Sequence, residues 1–269
     1  MSIKTYFKDR LLPADNAFIS TPKSGRTWVR CLINHYYYLL YPLSVTSRNH
    51  LYTNKIPLIH YDHANFSRRT LHPVHVKKRV DTLYRRYNSN IVLFRNPRDV
   101  LNSYYHHVVY GRHYPPYQDE IWKDMTISRF IKSKHGLERI ITHMTAISEN
   151  IKPERTLVIY YEKLKENPEK ELSVIVNYLG SNTIDENIIK ESVKYNSIEN
   201  MRKREKKGTS EEFQISSRHR GKNDDDRGLK ARKGMVGGYK ETITDKDDLA
   251  YVEEKCRLMK GALERYLEN

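Results

Sequence analysis

Short apolar runs rich in β-branched and aromatic residues recur at 17–21, 57–61, 91–95 and 156–161, and longer stretches with helical spacing separate them. This alternation predicts an α/β fold of three layers, in which helices cover both faces of a mainly parallel central sheet. After the first run, Trp28, Cys31, Leu32, Tyr36 and Leu39 follow helical spacing, with Thr27 near the helix start. A basic helix over 74–87 follows the second run. Pro97 then opens a helix that carries Val100, Leu101, Tyr104 and Tyr105, because a residue without an N–H fits the first helical turn. Further helices are expected over 127–149, 168–179, 185–195 and 245–267.

Residues 201–230 break this rhythm: they are dense in charge, contain Gly208, Gly221 and Gly228, and include the run Asp224, Asp225, Asp226. A long unpatterned stretch inside a compact unit is either functional or disordered. We expect a mobile, charged lid. The chain of 269 residues suits one large domain, and no shift in composition divides it, so a single domain over 1–269 is expected. Its apolar runs fall well short of the roughly 20 residues needed to span a membrane. The first 21 residues carry Lys4, Lys8, Asp9, Arg10 and Asp15 instead of a secretory apolar core, which points to a cytoplasmic protein.

Cys31 and Cys256 are the only cysteines, each inside a helical pattern, so neither a disulfide framework nor a metal cluster is expected. The formal net charge of +15 favours acidic partners without choosing among nucleic acid, anionic membrane and a phosphorylated cofactor. With 21 tyrosines against 6 phenylalanines, the aromatic side chains can hydrogen-bond as well as pack.

The segment from Ser20 to Trp28 reads Ser-Thr-Pro-Lys-Ser-Gly-Arg-Thr-Trp and joins the first strand to a helix, aiming backbone N–H groups and the positive helix end at an anion. Gly25 allows close backbone approach, Lys23 supplies a mobile charge, and Ser24 and Thr27 add hydroxyl donors. Lysine precedes the glycine here, whereas the nucleotide triphosphatase loop places lysine after its last glycine. With Pro22 and Trp28 flanking it, the segment resembles the 5'-phosphosulfate loop of the sulfotransferases that use 3'-phosphoadenosine 5'-phosphosulfate (PAPS). That loop is usually written Pro-Lys-Ser-Gly-Thr-Thr-Trp, and Arg26 stands in place of its first threonine.

Three later segments match the same family in order, so the resemblance spans nearly the whole chain. In the stretch from Arg95 to Ser103, these two end residues match the family's binders of the cofactor 3'-phosphate, and a guanidinium suits bidentate contact there. Taken without the resemblance, Arg95 and Arg98 read as partners of Asp99 on a solvated surface. Tyr161-Glu162-Lys163-Leu164 resembles the segment whose tyrosine contacts adenine, with Lys163 in place of an acid. Residues 232–240 resemble the family's Arg-Lys-Gly segment, which implies that Arg232, Lys233 and Gly234 return to the 3'-phosphate, although Gly238 and Tyr239 depart from its Asp and Trp.

The resemblance implies metal-independent transfer of a sulfuryl group from PAPS to a hydroxyl or amine of a small acceptor, with PAP as product. Lys23 would neutralise charge on the departing phosphate. The family's catalytic histidine follows the second strand, which implies His63 as base; His60 falls within the apolar run and reads as a packed strand residue. Tyr104, Tyr105, His106, His107, Tyr110, Tyr114 and Tyr117 are candidates for the acceptor pocket.

Two other classes share part of this pattern. A P-loop kinase would use the same strand-loop-helix cradle with Mg²⁺, but the order of lysine and glycine argues against it. A nucleic-acid-binding protein would use the net charge and the basic run from Arg202 to Lys207, but no zinc-finger spacing or RNA-recognition aromatic motif accompanies them. The acceptor and the oligomeric state are left open by the residues.

Overall fold

The computed structural model describes residues 15–41, 56–67, 71–111, 124–181, 184–207 and 226–267. Four parallel strands, β1 (Asn16–Ser20), β2 (Ile59–Asp62), β3 (Ser89–Phe94) and β4 (Thr156–Tyr160), form a sheet in the order β2-β1-β3-β4. The second strand starts two residues later than its apolar run, since Pro57 has no N–H for the ladder. The helices are α1 (Arg26–Leu40), α2 (Pro73–Arg86), α3 (Pro97–Tyr110), α4 (Ile127–Ile131), α5 (Leu137–Ser148), α6 (Tyr161–Glu166), α7 (Pro168–Tyr178), α8 (Glu186–Tyr195), α9 (Ile198–Lys207) and α10 (Lys246–Cys256).

Side chains alternate along each strand, and the two sets feed different cores. Ala17, Ile19, Val92 and Phe94 pack with buried residues of α2, α3, α5 and α10. Phe18, Ile91, Leu93 and Ile159 pack with those of α1, α7 and α8 on the other face. Parallel strands buried on both sides produce the near-continuous apolar runs seen in the sequence. The register pairs Ile19 with Asp62, Ser20 with Leu93 and Phe94 with Tyr160, so all four strands finish near one edge. Asn96 caps α3 through its side-chain oxygen, which accepts from Arg98 N, and Pro97 takes the first helical position.

Three expectations are corrected. The helix over 127–149 is two helices: a Cβ at Gly136 would lie 2.2 Å from the Phe130 carbonyl oxygen and 2.3 Å from that of Ile131, so only glycine fits the turn between them. The helix over 245–267 stops at Cys256, and a 3-10 turn at Gly261–Tyr266 brings the Tyr266 carbonyl to Arg98 Nη1 at 3.1 Å. Residues 201–207 are helical, as part of α9, and are anchored to the segment near 230. Arg202 Nε donates to Ala231 O at 3.1 Å, and the buried Glu205 carboxylate accepts from Lys230 N at 2.8 Å and Ala231 N at 2.9 Å. Residues 208–225 of the expected lid lie outside the described residues.

Arg98 is 1% exposed and donates to Glu253 through Nε at 2.7 Å, so it braces α3 against α10. It does not pair with Asp99, which accepts from Gly237 N and Tyr239 N at 2.8 and 3.2 Å. Both cysteines are buried, and burial pushes the Cys31 thiol up to about 11 and the Cys256 thiol up to about 12. Among the described residues no helix is long and apolar enough to cross a membrane.

Gly136→Ala is expected to destabilise the protein by about 1–3 kcal/mol, the usual cost of forcing extra atoms into a packed site. Chemical denaturation measures it, and an unchanged midpoint would show that the turn can relax.

Candidate active site

The carboxyl end of every strand delivers a residue to one cavity of about 980 Å³. The loop after β1 brings Lys23, Gly25, Arg26, Thr27 and Trp28; β2 is followed by His63, β3 by Arg95 and β4 by Tyr161. Crevices of this kind form in open parallel sheets where the chain turns to opposite sides of one strand, here β1 between β2 and β3.

The phosphate-type loop is held tightly. Gly25 sits at φ 104°, and a Cβ there would meet the Tyr161 ring at 2.5 Å. Lys23 is left-handed at φ 69°, and its carbonyl accepts from Arg95 Nη1 at 3.2 Å. Burial pushes the Lys23 ammonium down to about 8; Glu205 opposes this, and Arg95 and Arg232 add to it. Ser24 is not among the residues lining the cavity; its hydroxyl is buried without a hydrogen-bond partner among the described residues, as is Arg26 Nη1. Burial, with Arg30 beside it, lowers the Arg26 guanidinium to about 10. Trp28 donates from Nε1 to Asn196 O at 2.9 Å and meets the Tyr161 ring edge-on at 5.8 Å.

Arg95 has a different geometry from the free bidentate fork expected. Its Nη2 donates to Met235 O at 3.0 Å while Nη1 holds the Lys23 carbonyl, and the guanidinium carbon lies 4.3 Å from the centre of the Tyr161 ring. Nε remains buried without a hydrogen-bond partner among the described residues. Ser103, Arg232, Lys233 and Gly234 line the same cavity, with the Lys233 ammonium paired to Glu241.

His63 stands one residue beyond β2. Its Nδ1 lies 2.8 Å from the Ser20 carbonyl, which can only accept, so Nδ1 carries the proton and Nε2 keeps its lone pair. Burial, with Arg26 nearby, pushes His63 down to about 3, leaving it neutral at physiological pH. A buried second histidine, His143, buttresses it. Its Nε2 donates to the His63 and Ala64 carbonyls at 2.9 and 3.3 Å, and its Nδ1 accepts from the Thr21 hydroxyl at 2.9 Å. His60 is outside the cavity lining and is not the buried strand residue expected. It stacks on Tyr87 at 5.3 Å, its ring lies 3.3 Å from Asp62 Oδ2, and its side chain is 37% exposed.

Among the expected pocket residues, Tyr104 and His107 line the cavity, whereas Tyr105, His106 and Tyr110 do not. Tyr105 donates instead to the Met125 carbonyl at 3.1 Å, and Tyr110 lies under the Arg227 guanidinium at 4.0 Å. Tyr114 and Tyr117 lie outside the described residues. The sequence reading missed His143, which is one helical position among many, and Lys230, which also lines the cavity. Burial, reinforced by Lys23 and Arg30, lowers Lys230 to about 7; only its position two residues before Arg232 marked it. Among the described residues no group of three or more His, Cys, Asp and Glu side chains could hold a metal ion.

Residues 13–261 match the family model for the sulfotransferase domain. Sulfotransferase 1B1 of Mus musculus is 26% identical over 204 residues, covering 71% of this chain and 66% of its own length. Cytosolic sulfotransferase 12 of Arabidopsis thaliana is 24% identical over 255 residues, covering 86% of this chain and 73% of its own. The fold superposes on mouse sulfotransferase SULT7A1 complexed with PAP with a TM-score of 0.60 at 19% identity, over 99% of this chain and 94% of that one. It superposes on retinol dehydratase in a complex with retinol and PAP with a TM-score of 0.61 at 15% identity, over 94% of this chain and 85% of that one.

The lowered lysines tie stability to pH. An unfolded lysine titrates near 10.5, so between about 7 and 10.5 the unfolded chain binds more protons than the folded one at Lys23 and Lys230. Their contribution to stability therefore increases with pH across that window. Melting temperature is expected to rise less between pH 7 and 10 in Lys230→Met than in the parent protein, and equal slopes would contradict the shift.

Proposed function

This chain belongs to the sulfotransferase family, enzymes that move a sulfuryl group from PAPS, and we propose that it sulfates a small acceptor with His63 as base and Lys23 as the principal charge stabiliser. The observation that carries this is the single cavity shared by the loop after β1, Arg95 and His63. The residues fit the cofactor: the cavity is lined by the cations Lys23, Arg26, Arg95, Lys230, Arg232 and Lys233, Arg95 keeps a buried Nε without a partner among the described residues, and the Gly25 position admits no side chain.

Lys23, Ser24, Gly25, Arg26 and Thr27 would hold the 5' end, and Arg95, Ser103, Arg232, Lys233 and the Gly234 backbone the 3'-phosphate. Lys230 joins this set. Trp28 and Tyr161 meet edge-on at 66° beside the loop glycine and offer an aromatic corner for adenine. When bound, PAPS supplies an activated sulfur, whose bond to the phosphate oxygen breaks as the acceptor oxygen or nitrogen bonds to it and PAP departs with the electron pair.

His63 receives the acceptor proton at Nε2, the nitrogen left free by the Nδ1 contact to Ser20. Ser20 and His143 fix the ring and the loop that carries it, which removes orientational freedom from the step. Lys23 faces charge growing on the departing phosphate. The protein works as one domain in the cytoplasm.

PAP is expected to raise the melting temperature in the presence of chelator, and no shift at millimolar PAP would count against the reading. His63→Ala is expected to keep that shift while single-turnover rates fall about a hundredfold or more. The pH dependence has a definite sign. With His63 already neutral, kcat/KM for PAPS stays flat on the acid side down to about pH 5 and falls above about pH 8, as Lys23 loses its proton. An acid limb near pH 6.5 would contradict the lowered titration of His63 and not its role as base.

A further inference from the structure

Helix α9 runs alongside the segment that carries Arg232, Lys233 and Gly234, and the two are joined in reverse order along their lengths. At the start of the helix Ile198 lies against Gly234, where φ is 61° and an added Cβ would stand 3.0 Å from Ile198 Cγ1. One turn on, Met201 packs with Ala231 and Cys31, and Arg202 Nε donates to Ala231 O at 3.1 Å. Glu205 continues the same face, because residues three and four apart on a helix are neighbours. Beside it, Lys206 Nζ meets Asp226 Oδ2 at 2.6 Å.

Glu205 differs from the rest of this row. It is 0% exposed, and its two oxygens accept from consecutive backbone N–H groups, Oε1 from Lys230 at 2.8 Å and Oε2 from Ala231 at 2.9 Å. A carboxylate can accept at both oxygens, whereas a side-chain amide would turn its own donor on one of the two N–H groups. Burial raises the Glu205 carboxyl, while the two backbone amides and the charges of Lys23 and Lys230 oppose that rise. The grip falls two residues before Arg232. On the far side the same segment is held by Arg95, whose Nη2 donates to Met235 O at 3.0 Å, and by Asp99, which accepts from Gly237 N at 2.8 Å. Arg232, Lys233 and Gly234, all of which line the cavity, are therefore spanned between two fixed points.

We infer that Glu205 is a positioning residue for the cofactor 3'-phosphate: by holding the amides of 230 and 231 from α9, it fixes the stretch through which Arg232, Lys233 and the Gly234 backbone would meet that phosphate. The inference rests on the sulfotransferase reading and adds to it a residue that does not itself line the cavity. Glu205 has two separable effects. Its charge, felt by Lys23 and Lys230, bears on every anion that enters, whereas its grip on the backbone bears on a 3'-phosphate alone. The effect of charge therefore cancels between two ligands that differ only in that phosphate. Linkage also runs the other way: a 3'-phosphate that binds better when the segment is gripped must in turn stabilise the grip.

The test compares PAP with adenosine 5'-monophosphate (AMP), its counterpart without the 3'-phosphate, by calorimetry on the full protein. Glu205→Gln keeps the size of the side chain and turns an NH2 group on one of the two amides. Its preference for PAP over AMP is expected to fall about tenfold relative to the parent protein, the scale of one charge-assisted hydrogen bond. Hydrogen exchange at the amides of 230 and 231 supplies a second measurement that needs no variant. In the parent protein these amides are expected to be protected without ligand, and saturating PAP is expected to slow them further than saturating AMP does. A preference for PAP that is unchanged in Glu205→Gln, as when both ligands weaken by the same factor, overturns the proposal. So does exchange in the parent protein that proceeds at solvent rates or responds equally to PAP and AMP. A parent protein that binds AMP as tightly as PAP, or binds neither, refutes instead the sulfotransferase reading on which the proposal stands.

Discussion

A cavity built for a polyanion must hold several cations together before the anion arrives, and their mutual repulsion is the constraint around which this protein is organised. Lys23, Arg26, Arg95, Lys230 and Arg232 converge on one space. The buried Glu205 is the counter-charge that reaches Lys23 and Lys230, and it is held in place by the backbone amides of 230 and 231. Desolvation and like charge push both lysines toward neutrality, so the ligand-free protein carries less charge there than its sequence suggests. Helix α9 matters to the site because it delivers Glu205.

Arg95 converts this electrostatic cluster into a mechanical one. By donating to the Lys23 and Met235 carbonyls and stacking over Tyr161, it joins the loop after β1, the exit of β4 and the segment beyond 230. Its position follows from the parallel register, which ends β1, β3 and β4 near one edge. A two-residue slip of β3 would separate these segments, so the sheet fixes the site as firmly as any side chain does.

Much of this was legible in the sequence because the strands announce themselves as apolar runs and the site residues sit next to strand ends. Lys23 to Trp28, His63, Arg95 and Tyr161 each occupy such a position, so local pattern was enough to bring them toward one edge. What stayed hidden depends on contacts between distant parts of the chain. His143 is 122 residues from the Thr21 hydroxyl it accepts from, and nothing in its helical neighbourhood marks it. Asp99 looked like a surface partner for arginine but orders backbone 138 residues away at Gly237. Arg98, beside it, is buried against Glu253, a pairing that only the packing of α3 on α10 creates. The breaks at 136 and after 256 were missed because apolar spacing resumes in phase on either side.

The two buried thiols have a practical meaning for anyone working with the molecule. Cys31 is enclosed with Met201 and Ala231, and Cys256 lies in the core beneath α10, each with its thiolate strongly disfavoured. Alkylating and oxidising reagents attack thiolates at accessible sulfur, so the folded protein offers them little. A cysteine introduced on the surface would therefore be the one reactive handle on a native background, and dyes or spin labels could be attached without first removing either natural residue.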